Sequence, residues 1–132
     1  MHRPLIGLIS GYAPPDKSRK FSQGNSINSV ELNYSLCIEK GGGLPVLIPY
    51  IKEDEGLIQF CSQLDGLLLV GGDDVDPARY NQEMLPTKYP PVPERDAFED
   101  KFLKHFLQTG KPTMGICRGI QMLNIHFGGD LI

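Results

Sequence analysis

Cys117 sits in the run Gly115-Ile116-Cys117-Arg118-Gly119, where a short apolar segment gives way to a periodic one. Glycines on both sides permit a tight reversal and a close approach of backbones, which is what an elbow needs to hold a nucleophile above a sheet. A sulfur placed there meets the positive end of the following helix. That end lowers the cost of forming a thiolate, and its free amides can face a developing oxyanion. The competing role is a cysteine that only packs. A second short stretch favours chemistry: Gly71-Gly72-Asp73-Asp74 ends a different apolar run. If both runs are parallel strands, their ends share one carboxyl-terminal edge, and the Gly72 amides arrive beside the thiol as the other half of an oxyanion hole.

Three further side chains belong to the candidate site. Gln121 lies one helical turn beyond Cys117 and can present an amide to a polar ligand, or be an exposed helix residue or make an internal capping bond. Arg118 and Arg95 offer rigid guanidinium forks to a substrate carboxylate, with solvation at the surface as the competing role. Thiolate attack on an amide also needs an imidazole, oriented by an acid, to activate the thiol and protonate the leaving amine. His2 is terminal, His105 falls in the helix after Arg95, and His126 follows Cys117 by nine residues. Nine residues of straight helix span about 13 Å, too far for direct proton transfer, so His105 and His126 are read as structural or solvent-facing. Asp96 followed by Glu99 reads as a helix-capping pair.

The elements that must hold these residues are legible in the hydrophobic pattern. Leu5 to Ile9 is a buried strand, Ser10 to Asn28 a long polar loop, and about Ser29 to Lys40 a helix with Val30, Tyr34, Cys37 and Ile38 at helical spacing. Leu44 to Ile48 is a second strand; Asp54 caps a helix carrying Leu57, Ile58, Cys61 and Leu64; Leu67 to Val70 is a third, almost continuously apolar strand. Asp73 to Pro93 is a second long loop with at most a helical turn at Asp76-Pro77, suited to an active-site wall. A helix striped by Phe98, Phe102, Leu103, Phe106 and Leu107 ends at Gly110, a strand leads into Cys117, and a last helix runs through Ile120, Leu123 and Phe127. Short buried strands alternating with amphipathic helices predict a three-layer α/β domain around a mostly parallel sheet with flanking helices.

Composition narrows the classes. The chain has 132 residues, 40% hydrophobic and 22% charged, with a formal charge of -3, which gives no electrostatic case for nucleic acid or an anionic membrane. No apolar run is long enough to span a bilayer and the N-terminus does not read as a secretory signal, so a cytoplasmic location is expected. The three cysteines, Cys37, Cys61 and Cys117, are too widely spaced for a disulfide framework or a zinc knuckle. Cys37 and Cys61 are read as buried packing residues. No metal or cofactor is expected, and the glycines do not form a phosphate-binding loop.

Taken as a set, Gly115-Ile-Cys-Arg-Gly-Ile-Gln121, Gly71-Gly-Asp-Asp-Val-Asp-Pro77 and Gly42-Gly-Leu-Pro45 resemble the class I glutamine amidotransferase-like hydrolases, in particular the gamma-glutamyl-gamma-aminobutyrate hydrolase branch. The resemblance runs from Ile6 to the end and implies a flavodoxin-like sheet. It implies that Cys117 forms a gamma-glutamyl thioester, that the Gly72 region and the Arg118 amide donate to the oxyanion, and that Gln121 helps hold the glutamyl end of a small gamma-glutamyl amide. Arg95-Asp96 with Glu99 also matches the family pattern after the long loop. The family draws its catalytic histidine and glutamate from a later segment, so residues 1–132 are expected to be the N-terminal portion of a larger amidotransferase domain. The alternatives are a glutaminase delivering ammonia to a separate synthetase, and a binding or regulatory module without turnover; a homo-oligomer stays open.

Overall fold

The computed structural model describes residues 2–132. Its sheet is built from β1 (Leu5–Ile9), β4 (Leu44–Ile48), β5 (Gly66–Leu69) and β6 (Thr113–Gly115), all parallel, in the spatial order β4-β1-β5-β6. The helices are α1 (Leu32–Lys40), α2 (Asp54–Gln63), α3 (Pro93–Phe106) and α4 (Arg118–His126). The chain builds outward from β1 to β4, then returns through α2 to pair β5 with the other edge of β1. That reversal makes a switch point between the carboxyl ends of β1 and β5, where an open α/β sheet leaves a crevice.

The two central strands, β1 and β5, are covered on both faces, while the edge strands leave Leu44, Leu47 and Met114 exposed. Ile9, Leu67 and Leu69 point into the larger core, with Leu57 and Leu64, the Phe102 and Phe106 stripe of α3, and Met122 of α4. Leu8, Leu68 and Val70 point the other way, against Tyr34 and Ile38 of α1. The period of two along a strand thus feeds two cores from one run, and each fully buried Leu or Phe contributes about 1.5–3 kcal/mol of apolar transfer. The result is the expected three-layer, flavodoxin-like arrangement of helices around a parallel sheet. Among the described residues no helix is long and apolar enough to cross a membrane.

Several expectations need correction. The segment read as a loop from Ser10 to Asn28 contains an antiparallel pair, β2 (Gly11–Ala13) with β3 (Ile27–Ser29). Tyr12 of β2 stacks on Tyr50 at 5.1 Å, and Tyr50 stacks on Phe98 of α3 at 4.3 Å, so an aromatic column pins the hairpin over the sheet edge. Asp54 is the first residue of α2 rather than its cap, which falls on Glu53. Helix α3 begins at Pro93, whose fixed φ suits the first helical position, so Asp96 and Glu99 lie inside the helix and cap nothing. Cys37 is exposed: among the described residues α1 packs mainly on β4 and β1, and none of its residues is buried.

Candidate active site

The nucleophile elbow follows from register. Leu69 of β5 pairs with Gly115 of β6, and the next amide, Ile116 N–H, donates to Leu69 O at 3.0 Å. The residues one step further, Gly71 and Cys117, therefore leave the sheet side by side. Cys117 turns the chain with φ 54° and ψ -113°, a conformation L-residues seldom adopt, and its side chain is exposed. Helix α4 starts at once: Gly119 N–H donates to Ile116 O at 2.9 Å and Ile120 N–H to Cys117 O at 3.0 Å. Both flanking glycines are required by contact. A Cβ at Gly115 would strike the Gly119 carbonyl, and one at Gly119 would strike that of Leu69.

The two turns open into one cavity of about 430 Å³, walled by Gly71, Gly72, Arg95 and Cys117 on one side and by Tyr12, Glu31 and Tyr34 on the other. A Cβ built on Gly71 would lie 4.0 Å from Cys117 Sγ. The Gly71 N–H is already engaged, donating to the Tyr34 hydroxyl at 3.1 Å. Among the described residues neither the Gly72 N–H nor the Arg118 N–H has an acceptor. Gly72 has φ 153° and lies so close to the Arg95 guanidinium that a side chain there would displace it.

The remaining expected site residues are dispersed. Arg95 lines the cavity but is only 3% exposed: its Nε donates to Glu99 Oε1 at 3.1 Å and its Nη2 to the Val70 and Gly71 carbonyls at 3.2 and 2.9 Å. The Arg118 side chain, read as a second attractor of substrate carboxylate, is 1% exposed and pairs with Asp96 and Glu99 inside the protein, away from the cavity. Gln121 lines a separate depression with Asp74, Pro77, Tyr80 and Leu131, beyond the Asp73-Asp74 peptide. His126 Nδ1 stands 3.3 Å from Asp100 Oδ1, and His105 borders a shallow hollow near Cys61; among the described residues no histidine lines the Cys117 cavity. Nor do those residues contain a cluster of three or more side chains able to hold a metal ion.

Sequence reasoning placed Tyr34 only as a sheet-facing helix residue and did not single out Tyr12 or Glu31. Its position one turn before Ile38 on the sheet-facing side of α1 carried the signal for Tyr34, since a long side chain near a helix start reaches the strand ends below it. The residues of the hairpin offered no comparable periodicity.

The three thiols differ in surroundings. Burial pushes the Cys61 thiol from an ordinary 9.0 up to about 11, whereas Cys37 and Cys117 are exposed. Iodoacetamide at pH 8, followed by peptide mass mapping, is therefore expected to label Cys37 and Cys117 and to spare Cys61 until the protein is denatured. Between pH 9 and 11 the unfolded chain releases the Cys61 proton while the folded chain retains it, so stability is expected to fall as pH rises through that window. A urea midpoint for Cys61→Ala with the same alkaline slope as the parent would contradict this assignment.

The fold and the cavity define a three-layer α/β protein with a cysteine elbow at the switch-point edge of its sheet. The chain belongs to the Peptidase C26 family, whose profile matches residues 4–132, and so to the class I glutamine amidotransferase-like proteins. A protein of Mycobacterium tuberculosis provisionally named a glutamine amidotransferase is 44% identical over 130 residues, covering 98% of this chain and 41% of its own length. A Rickettsia prowazekii protein provisionally named glutamine amidotransferase-like is 40% identical over 132 residues, covering 98% of this chain and 46% of its own. The gamma-glutamyl-gamma-aminobutyrate hydrolase of Escherichia coli O157:H7 is 29% identical over 133 residues, covering 99% and 49%. The chain thus spans less than half the length of each of these relatives.

Proposed function

We propose that Cys117 is the nucleophile of a gamma-glutamyl amide hydrolase. The observation that carries this reading is the exposed sulfur at a positive-φ elbow, sharing a cavity with a Gly72 turn whose N–H is unpartnered. In the first half-reaction the thiolate attacks the gamma carbonyl, and a C–S bond forms as the carbonyl electron pair moves to oxygen. The Gly72 and Arg118 amides stabilise that oxyanion; its collapse breaks the C–N bond, and the amine leaves with a proton from an imidazole. Water, deprotonated by the same imidazole, then attacks the thioester and returns the thiol. In this reading the histidine and the glutamate orienting it come from chain beyond residue 132 or from a partner, in keeping with the greater length of the relatives, and no cofactor takes part.

Arg95 supports recognition of an anionic glutamyl group, since its guanidinium borders the cavity against Gly11 and Gly72. Gln121, in its separate depression, reaches the substrate only if the Asp73-Asp74 segment shifts. A second reading, a glutaminase that passes ammonia to a separate synthetase, is favoured by the names of the relatives at 44% and 40% identity. The two share the thioester and differ in the leaving group.

The test is covalent capture. A gamma-glutamyl chloroketone, a glutamine analogue with an electrophilic carbon at the amide position, is expected to modify Cys117 much faster than the equally exposed Cys37, and free glutamate is expected to slow only the Cys117 reaction. Equal labelling of both cysteines, unaffected by glutamate, would remove the basis for a gamma-glutamyl site.

A further inference from the structure

Four charged side chains are buried together at the cavity, Arg95 bordering it and Asp96, Glu99 and Arg118 away from its lining. Burying charge is unfavourable unless each is paired, and here the pairing has a direction. One oxygen of Glu99 accepts from Arg95 Nε and the other from Arg118 Nη1. Arg95 in turn grips the Val70 and Gly71 carbonyls, the last two before the Gly72 amide. Arg118 is the residue directly after Cys117, and its Nη2 donates to Asp96, whose other oxygen accepts the Asp76 N–H at 2.9 Å. A single carboxylate on α3 therefore joins the turn that ends β5 to the helix start that carries the nucleophile.

We propose that Glu99 is a positioning residue that sets the spacing of the two oxyanion donors, by holding Arg95 on the Gly71 carbonyl and Arg118 at the head of α4. The inference rests on the acyl-transfer reading above and deepens it. Gly71 and Gly72 carry no side chains, so the orientation of the peptide between them is set by neighbouring contacts. Arg95 supplies those contacts, and Glu99 fixes Arg95. Arg95, which bridges one Glu99 oxygen and two carbonyls, and Arg118, which bridges Glu99 and Asp96, together define a geometry that one ion pair would not.

Two reactions of the same sulfur separate positioning from general stability. Acylation by the gamma-p-nitrophenyl ester of glutamate forms a C–S bond and a tetrahedral oxyanion, then releases p-nitrophenolate with the bonding electron pair; the leaving group needs no proton. Alkylation by iodoacetamide forms a C–S bond and expels iodide with no oxyanion at all. In Glu99→Gln the acylation rate at Cys117 is expected to fall by about 10- to 100-fold, the scale of a misplaced catalytic group, and the alkylation rate to stay within about threefold. Glu99→Asp keeps the charge but shortens the reach to both guanidinium groups, and is expected to behave alike; it also serves if Glu99→Gln does not fold. Amide hydrogen exchange is expected to accelerate at Gly71 and Gly119, whose N–H groups donate to the Tyr34 hydroxyl and the Ile116 carbonyl, in both variants and to stay unchanged in the centre of β1. Acylation unchanged in a folded variant, acylation and alkylation falling together, or failure of both variants to fold would each overturn the proposal. If the parent protein itself forms no acyl adduct at Cys117, the acyl-transfer reading falls instead; unaltered exchange at Gly71 and Gly119 would then overturn the clamp as well, and accelerated exchange would uphold it.

Discussion

Cys117→Ala is expected to reduce gamma-glutamyl acyl transfer by about 10⁴-fold or more, the scale seen when a nucleophile is removed and only binding and oxyanion stabilisation remain. The fold should survive, because the side chain is exposed and packs nothing essential. The backbone makes a further comparison informative. At φ 54° and ψ -113° residue 117 stores strain that any Cβ incurs and glycine escapes. Cys117→Gly is therefore expected to be more stable than Cys117→Ala by about 1 kcal/mol, after allowing for the extra chain entropy of glycine. Both variants should be equally inactive in ester acylation. Thermal or urea unfolding beside an acylation assay reads the two effects separately. Retained acylation in Cys117→Ala would end the nucleophile assignment, and a Gly variant less stable than the Ala variant would mean that the elbow is not strained.

The sheet was legible because its longer strands are local apolar runs closed by turn-forming residues, and because burial of β1 and β5 on both faces leaves no polar alternation to confuse the period there. The hairpin was not. Its two strands are three residues each, and they find each other across residues 14–26, so no local window contains the pattern. What secures it is Tyr12 stacked on Tyr50, a contact between residues far apart in sequence. Cys37 misled for a related reason: helical spacing places it beside Tyr34 and Ile38, but which flank of the stripe is covered depends on what packs alongside, and Cys37 is left exposed.

At the site, the local geometry could be read and the tertiary partners could not. Gly-x-Cys-x-Gly announced a tight reversal, and the parallel strands brought Gly72 to the same edge. The arginines depended on distant residues. Arg118 follows the nucleophile and looked available to substrate, yet its guanidinium turns inward to α3. Asp96 and Glu99 resembled a cap because a capping pair and an inward-facing acidic pair share the same spacing. Pro93 at the first helical position was the signal that moves both residues into the helix body, and Arg95 four residues before Glu99 was the signal for a pair along one face.

Gly119→Ala is expected to destabilise the protein by about 3–5 kcal/mol, the range of the largest single substitutions. Helix propensity argues the opposite, since alanine in a helix is favoured over glycine by about 1 kcal/mol. The contact decides the sign. A Cβ at residue 119 would enter the Leu69 carbonyl, a rigid group of a central strand whose own oxygen accepts the Ile116 N–H, so neither partner can give way cheaply. Lifting α4 off β5 would relieve the clash only by breaking the register that sets Cys117 beside Gly71, so acylation should be lost even in the fraction that stays folded. Gly128→Ala, at a position with open space around it and φ 86°, provides the contrast: its cost is local conformational strain of about 1–2 kcal/mol with acylation retained. Urea midpoints for the two variants, read beside Cys117 acylation, test whether close packing of the elbow rather than glycine's flexibility is what the site requires; a Gly119→Ala protein as stable and as reactive as its parent would show that α4 can move away from β5 without losing the site.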